Sequence, residues 1–100
     1  MLFAIMAEDH ENSLENRLAA RPDHVKRLES LQADGRLVLA GPFPKVASET
    51  PGNFGFSGSL IVAEFETQDE ATAWADEDPY VKAGVYRQVV IKPFKQVFPS

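Results

Sequence analysis

The chain contains no cysteine, which excludes a disulfide framework, a thiol nucleophile and a thiolate metal site together. Histidine is scarce as well. Only His10 and His24 are present, and the carboxylates scattered around them do not fall at a metal-ligating spacing, so neither a metal nor another cofactor is expected. Positive charge is in deficit, with 10 basic against 15 acidic residues and a formal net charge of -5. The cations are dispersed from Arg17 to Lys95 and build no concentrated surface of the kind a phosphate backbone rewards, so nucleic acid is not an expected partner. Gly52, Gly55 and Gly58 recur at three-residue spacing, yet no lysine-serine pair follows them, and a phosphate-cradling loop is excluded. Long apolar runs are missing too. Leu2 to Ala7 is short, has no basic residues before it and meets Glu8 and Asp9 directly, so it reads as a strand and not as a leader or membrane span. A cytoplasmic protein with no membrane association is the expectation.

What is present suffices for a core. Hydrophobic residues make up 44% of 100 residues, including seven phenylalanines and one tryptophan, which fits one domain over residues 1–98. A domain of this size buries a modest share of its surface, so association with a second copy would stabilise it materially.

The first strand is Leu2 to Ala7. Ser13 is placed as a helix cap, with Leu14 and Leu18 one turn apart, and this short helix is expected to stop near Ala20 because a proline disfavours helical backbone at the residue before it. Pro22 then opens the main helix, where its missing N–H matters little. Val25, Leu28 and Leu31 form its buried stripe, and Gly35 ends it in the left-handed conformation. Arg36 to Ala40 is the second strand, closed by Gly41-Pro42. Residues 42–58 form a long unpatterned segment, read as a working loop whose Phe54 and Phe56 need shelter. Ser59 to Phe65 is the third strand, with Ile61, Ala63 and Phe65 on one face and Leu60, Val62 and Glu64 on the other. Thr67 and Glu70 make a capping box for a second helix, about Gln68 to Glu77. Asp78-Pro79 breaks that helix, and Tyr86 to Lys92 is the last strand, interrupted by Pro93.

The order is strand, helix, strand, strand, helix, strand, and its simplest packing is one antiparallel sheet with both helices on one face. That leaves the second face uncovered although the strands carry apolar residues on both faces, for instance Leu60 and Val62 opposite Ile61 and Ala63. A homodimer joined through that open sheet face follows.

Among residues able to move a proton near neutrality, His24 stands out, in the first turn of the expected main helix and at the rim of its apolar stripe. Asp78, held rigid by Pro79, is the best carboxylate to orient it, and Asp9 at the mouth of the first strand is the second candidate. Arg17 and Arg21 are close enough in the chain to clamp an anion beside His24. Glu8, His10 and Glu11 read as a solvated turn.

The segments "RPDH", "LAGP", "GFSGS" and "DPYVKAGVY", in that order and within a match over nearly the whole chain, resemble the YciI-related (YCII domain) family, particularly its short bacterial members. The resemblance implies a ferredoxin-like α+β fold, with dimers joined through their sheets into an α/β-barrel-like assembly. It also implies a cleft containing a histidine-aspartate pair. Carried over position by position, that pair falls on His24 and Asp78, and Asp9 matches a recurring acidic position. One related branch is similar to an enzyme that removes chloride from a chlorinated hydroxyhydroquinone. Two functions are consistent with these residues. In the first, His24 and Asp78 perform acid-base chemistry of a lyase or hydrolase-like kind, dehydrochlorination being one form, on a small phenolic or anionic metabolite, with Asp9, Arg17 and Arg21 binding substrate. In the second, a noncatalytic homodimer binds a small metabolite in the same cleft.

Overall fold

A computed structural model describes all 100 residues. Strand β1 (Leu2–Asp9) leads to helix α1 (Leu14–Ala33), strands β2 (Leu37–Pro44) and β3 (Phe56–Glu64), helices α2 (Gln68–Asp76) and α3 (Pro79–Lys82), and strand β4 (Tyr86–Phe94). The sheet order is β2-β3-β1-β4, every neighbouring pair antiparallel. This is the ferredoxin-like α+β arrangement.

The register explains which residues enter the core. On β1, Ile5 lies opposite Ile61 of β3 and Ile91 of β4, and Phe3 lies opposite Ala63. The odd-numbered side chains of these central strands share one face because successive residues alternate across a sheet. They pack with Leu31 of α1 and with Ala71 and Ala75 of α2, and Phe65 closes the cluster. Phe3 meets Phe65 edge to face, with ring centroids 6.3 Å apart, a favourable aromatic geometry.

Helix α1 departs from the expected two-helix reading. It runs unbroken from Leu14 to Ala33 with Pro22 inside it. Arg17, His24 and Leu31 are its buried residues. Seven-residue spacing is close to two full turns, so they occupy one face, and docking that face along its whole length overrides the local preference at Arg21. The N–H missing at Pro22 would have bonded the carbonyl of Leu18, which lies in an exposed turn where solvent can replace the lost donor. Ser13 occupies the N-cap position but its side chain makes no capping bond; its carbonyl accepts the Arg17 N–H at 2.8 Å. The helix leaves through Gly35 at φ 71°, a conformation that carries a penalty for any side chain.

The prolines also failed to end strands where expected. Pro42 and Pro44 belong to β2, opposite Ser59 and Phe56, and Pro93 belongs to β4, opposite Phe3. Both are edge strands, where a residue without an N–H can face away from the sheet. The longer strands reduce the unpaired connector to residues 45–55, and Phe54 within it is 68% exposed, so the expectation that it is sheltered fails. Phe56 is half-buried. The Thr67 hydroxyl accepts the Glu70 N–H at 3.1 Å as expected, but the Glu70 carboxylate reaches one residue further back, to the Glu66 N–H at 3.1 Å. No helix is long and apolar enough to cross a membrane.

Candidate active site

Two of the three buried residues of α1 are ionisable, which a helix serving only a core would avoid. Each has a dedicated carboxylate. The Nδ1 atom of His24 lies 2.9 Å from Oδ1 and 3.1 Å from Oδ2 of Asp78, and the two side chains are 9% and 3% exposed. Asp78 is fixed by its position in the chain. It is the N-cap of α3, its Oδ1 accepts the Tyr80 N–H at 2.9 Å, and Pro79 follows at the first helical position. A carboxylate only accepts, so Nδ1 of His24 donates and holds the proton, and the Nε2 lone pair is free.

The second pair is Arg17 with Asp9. Nε and Nη2 of Arg17 reach the two Asp9 carboxylate oxygens at 2.9 and 3.0 Å. Nη2 also donates to the Gly58 carbonyl at 3.0 Å and to the Ser59 hydroxyl at 2.9 Å. Burial alone would lower the Arg17 pKa; the hydrogen bond and charge of Asp9 outweigh it, and the pKa is raised. Gly58 is required at this crossing, since a Cβ there would lie 1.9 Å from the Ala7 carbonyl oxygen.

Tyr80 joins the two pairs. Its ring stacks on the His24 imidazole at 4.0 Å and 16°, and the Arg17 guanidinium lies 4.6 Å from its centroid. Burial raises the phenol pKa above its ordinary value, which keeps it protonated. Behind Tyr80, the Tyr86 ring packs edge-on at 5.4 Å, and its hydroxyl is buried without a partner.

These residues border a cavity of about 340 Å³. Arg17, Arg21, His24 and Tyr80 face it, with Val25 and Leu28 of α1 and Ile61 of the sheet supplying apolar wall. Asp9 and Asp78 stand behind Arg17 and His24. Of the two candidate carboxylates for the imidazole, Asp78 meets it, while Asp9 has both oxygens on Arg17. Arg21 is exposed at the cavity and takes part in none of the ion pairs of the chain. His10 is exposed and remote from His24 in this arrangement; its backbone N–H bonds Val85. Tyr80, Phe56 and Ser59 were not singled out from the sequence. Tyr80 had a signal, since it lies two residues after Asp78 in the Asp-Pro-Tyr segment; the other two are brought in by β3.

The model of the YCII-related domain matches residues 1–95. The chain belongs to this family. Among YCII-related relatives, it is 56% identical over 98 residues to Protein YciI of Escherichia coli, covering 98% of this chain and all of that one. An uncharacterized protein of Haemophilus influenzae is 51% identical over the same shares. Among solved structures, 5-chloro-2-hydroxyhydroquinone dehydrochlorinase from Burkholderia phenoliruptrix, in complex with 2,5-dihydroxybenzoquinone, superposes with a TM-score of 0.83 at 29% identity, covering 95% of this chain and 94% of that one. Protein Atu4242 of Agrobacterium tumefaciens, at 14% identity and a TM-score of 0.54, covers 100% of this chain and 97% of its own and shares the fold alone.

Proposed function

We propose that this YCII-related chain is a small cytoplasmic enzyme that performs acid-base chemistry on a compact phenolic or anionic molecule. The observation that carries the proposal is the His24 imidazole, held at Nδ1 by Asp78 and bordering a cavity shared with Arg17 and Arg21. Asp78 orients the ring and stabilises the imidazolium that forms when Nε2 takes a proton. The substrate gives up that proton from a hydroxyl or an activated carbon, and the electron pair left behind is delocalised or drives off a leaving group with its own bonding pair. Arg17 or Arg21 stabilises the oxygen on which negative charge develops, and Asp9 contributes to binding through Arg17. The cavity volume lies at the lower end of the range for small-molecule sites, roughly 300–1,000 Å³, which suits a single-ring molecule. The dehydrochlorinase of similar fold lends support to a lyase of this kind.

Calorimetric titration with 2,5-dihydroxybenzoquinone tests the reading. Binding by the native chain and its loss in His24→Ala are expected; no binding, or binding indifferent to that substitution, would count decisively against it.

The functional unit proposed is a homodimer. The sheet face away from the helices carries Met6, Phe43 and Val90 around an open depression of about 540 Å³, and Leu39 and Phe43 are exposed. An uncovered apolar sheet face of this kind marks an association surface. Sedimentation should find a dimer at micromolar concentration, and a stable monomer there would overturn the assembly.

A further inference from the structure

The cavity is polarised along α1. Arg17, Leu18, Arg21, His24, Val25 and Leu28 all line it, and their spacing places them on one helical stripe. Its polar groups are ordered along the helix: guanidinium groups toward the N-terminal end with Leu18 between them, imidazole in the middle, and only the aliphatic Val25 and Leu28 beyond. With a rise of 1.5 Å per residue, Arg21 and His24 are offset by roughly 4.5 Å along the axis, and His24 and Leu28 by roughly 6 Å. These offsets are comparable with the dimensions of one substituted six-membered ring.

The two cations are not equivalent. Arg17 is neutralised by Asp9 and uses Nε and Nη2 within the protein, leaving Nη1 as its remaining donor. Arg21 has no ionic partner in the chain, so it is the unbalanced positive charge at the cavity. Glu49, from the loop opposite, is the one carboxylate lining the cavity. It disfavours an anion beside it, so a ligand's carboxylate is left to Arg21, the cation of the cavity without an ionic partner.

We infer that the substrate is a hydroxylated ring carboxylate. Its carboxylate lies at Arg21 and the free donor of Arg17, a ring hydroxyl lies at Nε2 of His24 about one helical turn away, and the unsubstituted ring edge lies against Val25 and Leu28. The inference rests on the reading of the cavity as the substrate site and adds the carboxylate and the direction in which the molecule binds.

Binding of 2,5-dihydroxybenzoate and of hydroquinone, which share the ring and both hydroxyls and differ by the carboxylate, is compared by NMR titration of the full chain. The native protein should prefer the carboxylate by about five- to tenfold, a modest factor because Arg21 is exposed. Arg21→Gln should bring the ratio close to one by weakening the carboxylate compound far more than hydroquinone, and Glu49→Gln should raise the ratio. Both compounds should weaken in His24→Ala. Equal binding of the two compounds by the native chain, or a preference that survives Arg21→Gln, overturns the carboxylate assignment; if both compounds still lose affinity in His24→Ala, the ring site itself stands. Failure of both compounds to perturb cavity resonances overturns the inference and the substrate site together.

Discussion

The Tyr80 ring lies nearly parallel to the His24 imidazole, 4.0 Å away, and the backbone N–H of Tyr80 bonds the same Asp78 oxygen that receives His24 Nδ1. One short segment, Asp78 to Tyr80, therefore fixes both the tilt of the imidazole and its tautomer. Asp78→Asn removes the charge while keeping an oxygen to cap α3. His24 should then lose its preference for a proton on Nδ1, visible as a change in its imidazole nitrogen shifts by NMR. Turnover of a substrate should fall by about 10²- to 10⁴-fold, mainly in kcat. Asp78→Ala is a poorer probe, since loss of the cap alone costs about 1 kcal/mol. An unchanged tautomer in Asp78→Asn would contradict the orienting role.

Arg17 and Asp9 should behave as a coupled unit in stability. Their side chains are 6% and 2% exposed, so Arg17→Met strands a buried carboxylate and should destabilise the chain by about 3–5 kcal/mol. Adding Asp9→Leu removes the stranded charge and should recover much of that loss, leaving the unpaired Gly58 carbonyl and Ser59 hydroxyl as the residue. Urea unfolding of the two single variants and the double variant gives the coupling energy; strict additivity would show that the pair is not coupled.

Much of this was legible in the sequence, for reasons specific to each part. The alternation in β3 placed Ile61, Ala63 and Phe65 on one face, because strand periodicity is set by the backbone alone; that this face is the core face followed only from the packing of the helices. His24 was legible as one of only two histidines at the rim of an apolar stripe, and the family resemblance supplied Asp78 as its companion; its expected place in a first turn was not borne out, since α1 starts at Leu14 and sets it mid-helix. The pairing of Arg17 with Asp9 was not legible, since it depends on how α1 crosses the end of β1, a tertiary fact that no local pattern encodes. Prolines were misread in one consistent direction. Local rules end an element at Pro22, Pro42 or Pro93, whereas the fold places Pro22 on an exposed turn and the others on sheet edges, where a missing donor is tolerable.

Alkaline unfolding should report on the two tyrosines. Tyr80 and Tyr86 are the only ones in the chain, and burial raises the pKa of both above that of an ordinary phenol. Above an ordinary phenol pKa of about 10 the unfolded chain releases protons that the native chain retains, so stability must fall as pH rises through that region. Below it, the contribution is fully present. Tyrosinate absorbance should stay low while the native circular dichroism persists and should rise together with unfolding. Tyrosinate appearing in a still-native protein near pH 10 would show that the phenols are accessible. Tyr86→Phe removes a buried hydroxyl without a partner and should move the unfolding midpoint to higher pH.

Pro22 gives the most direct test of why α1 is continuous. Within a helix interior a proline removes one hydrogen bond and presses on the preceding turn, at a typical penalty of about 3 kcal/mol. Part of this is returned because proline stiffens the unfolded chain, by roughly 0.4–1 kcal/mol. If packing of Arg17, His24 and Leu31 holds the helix together across Pro22, then Pro22→Ala should stabilise the protein by about 2 kcal/mol. The urea midpoint should rise with the slope unchanged, and the helical circular dichroism should remain that of the native chain, since Leu14–Ala33 is already helical. Two separate helices meeting at Pro22 would respond differently: helix content would increase on substitution. A loss of stability would mean that the stiffening of the unfolded chain by Pro22 outweighs its penalty in the helix.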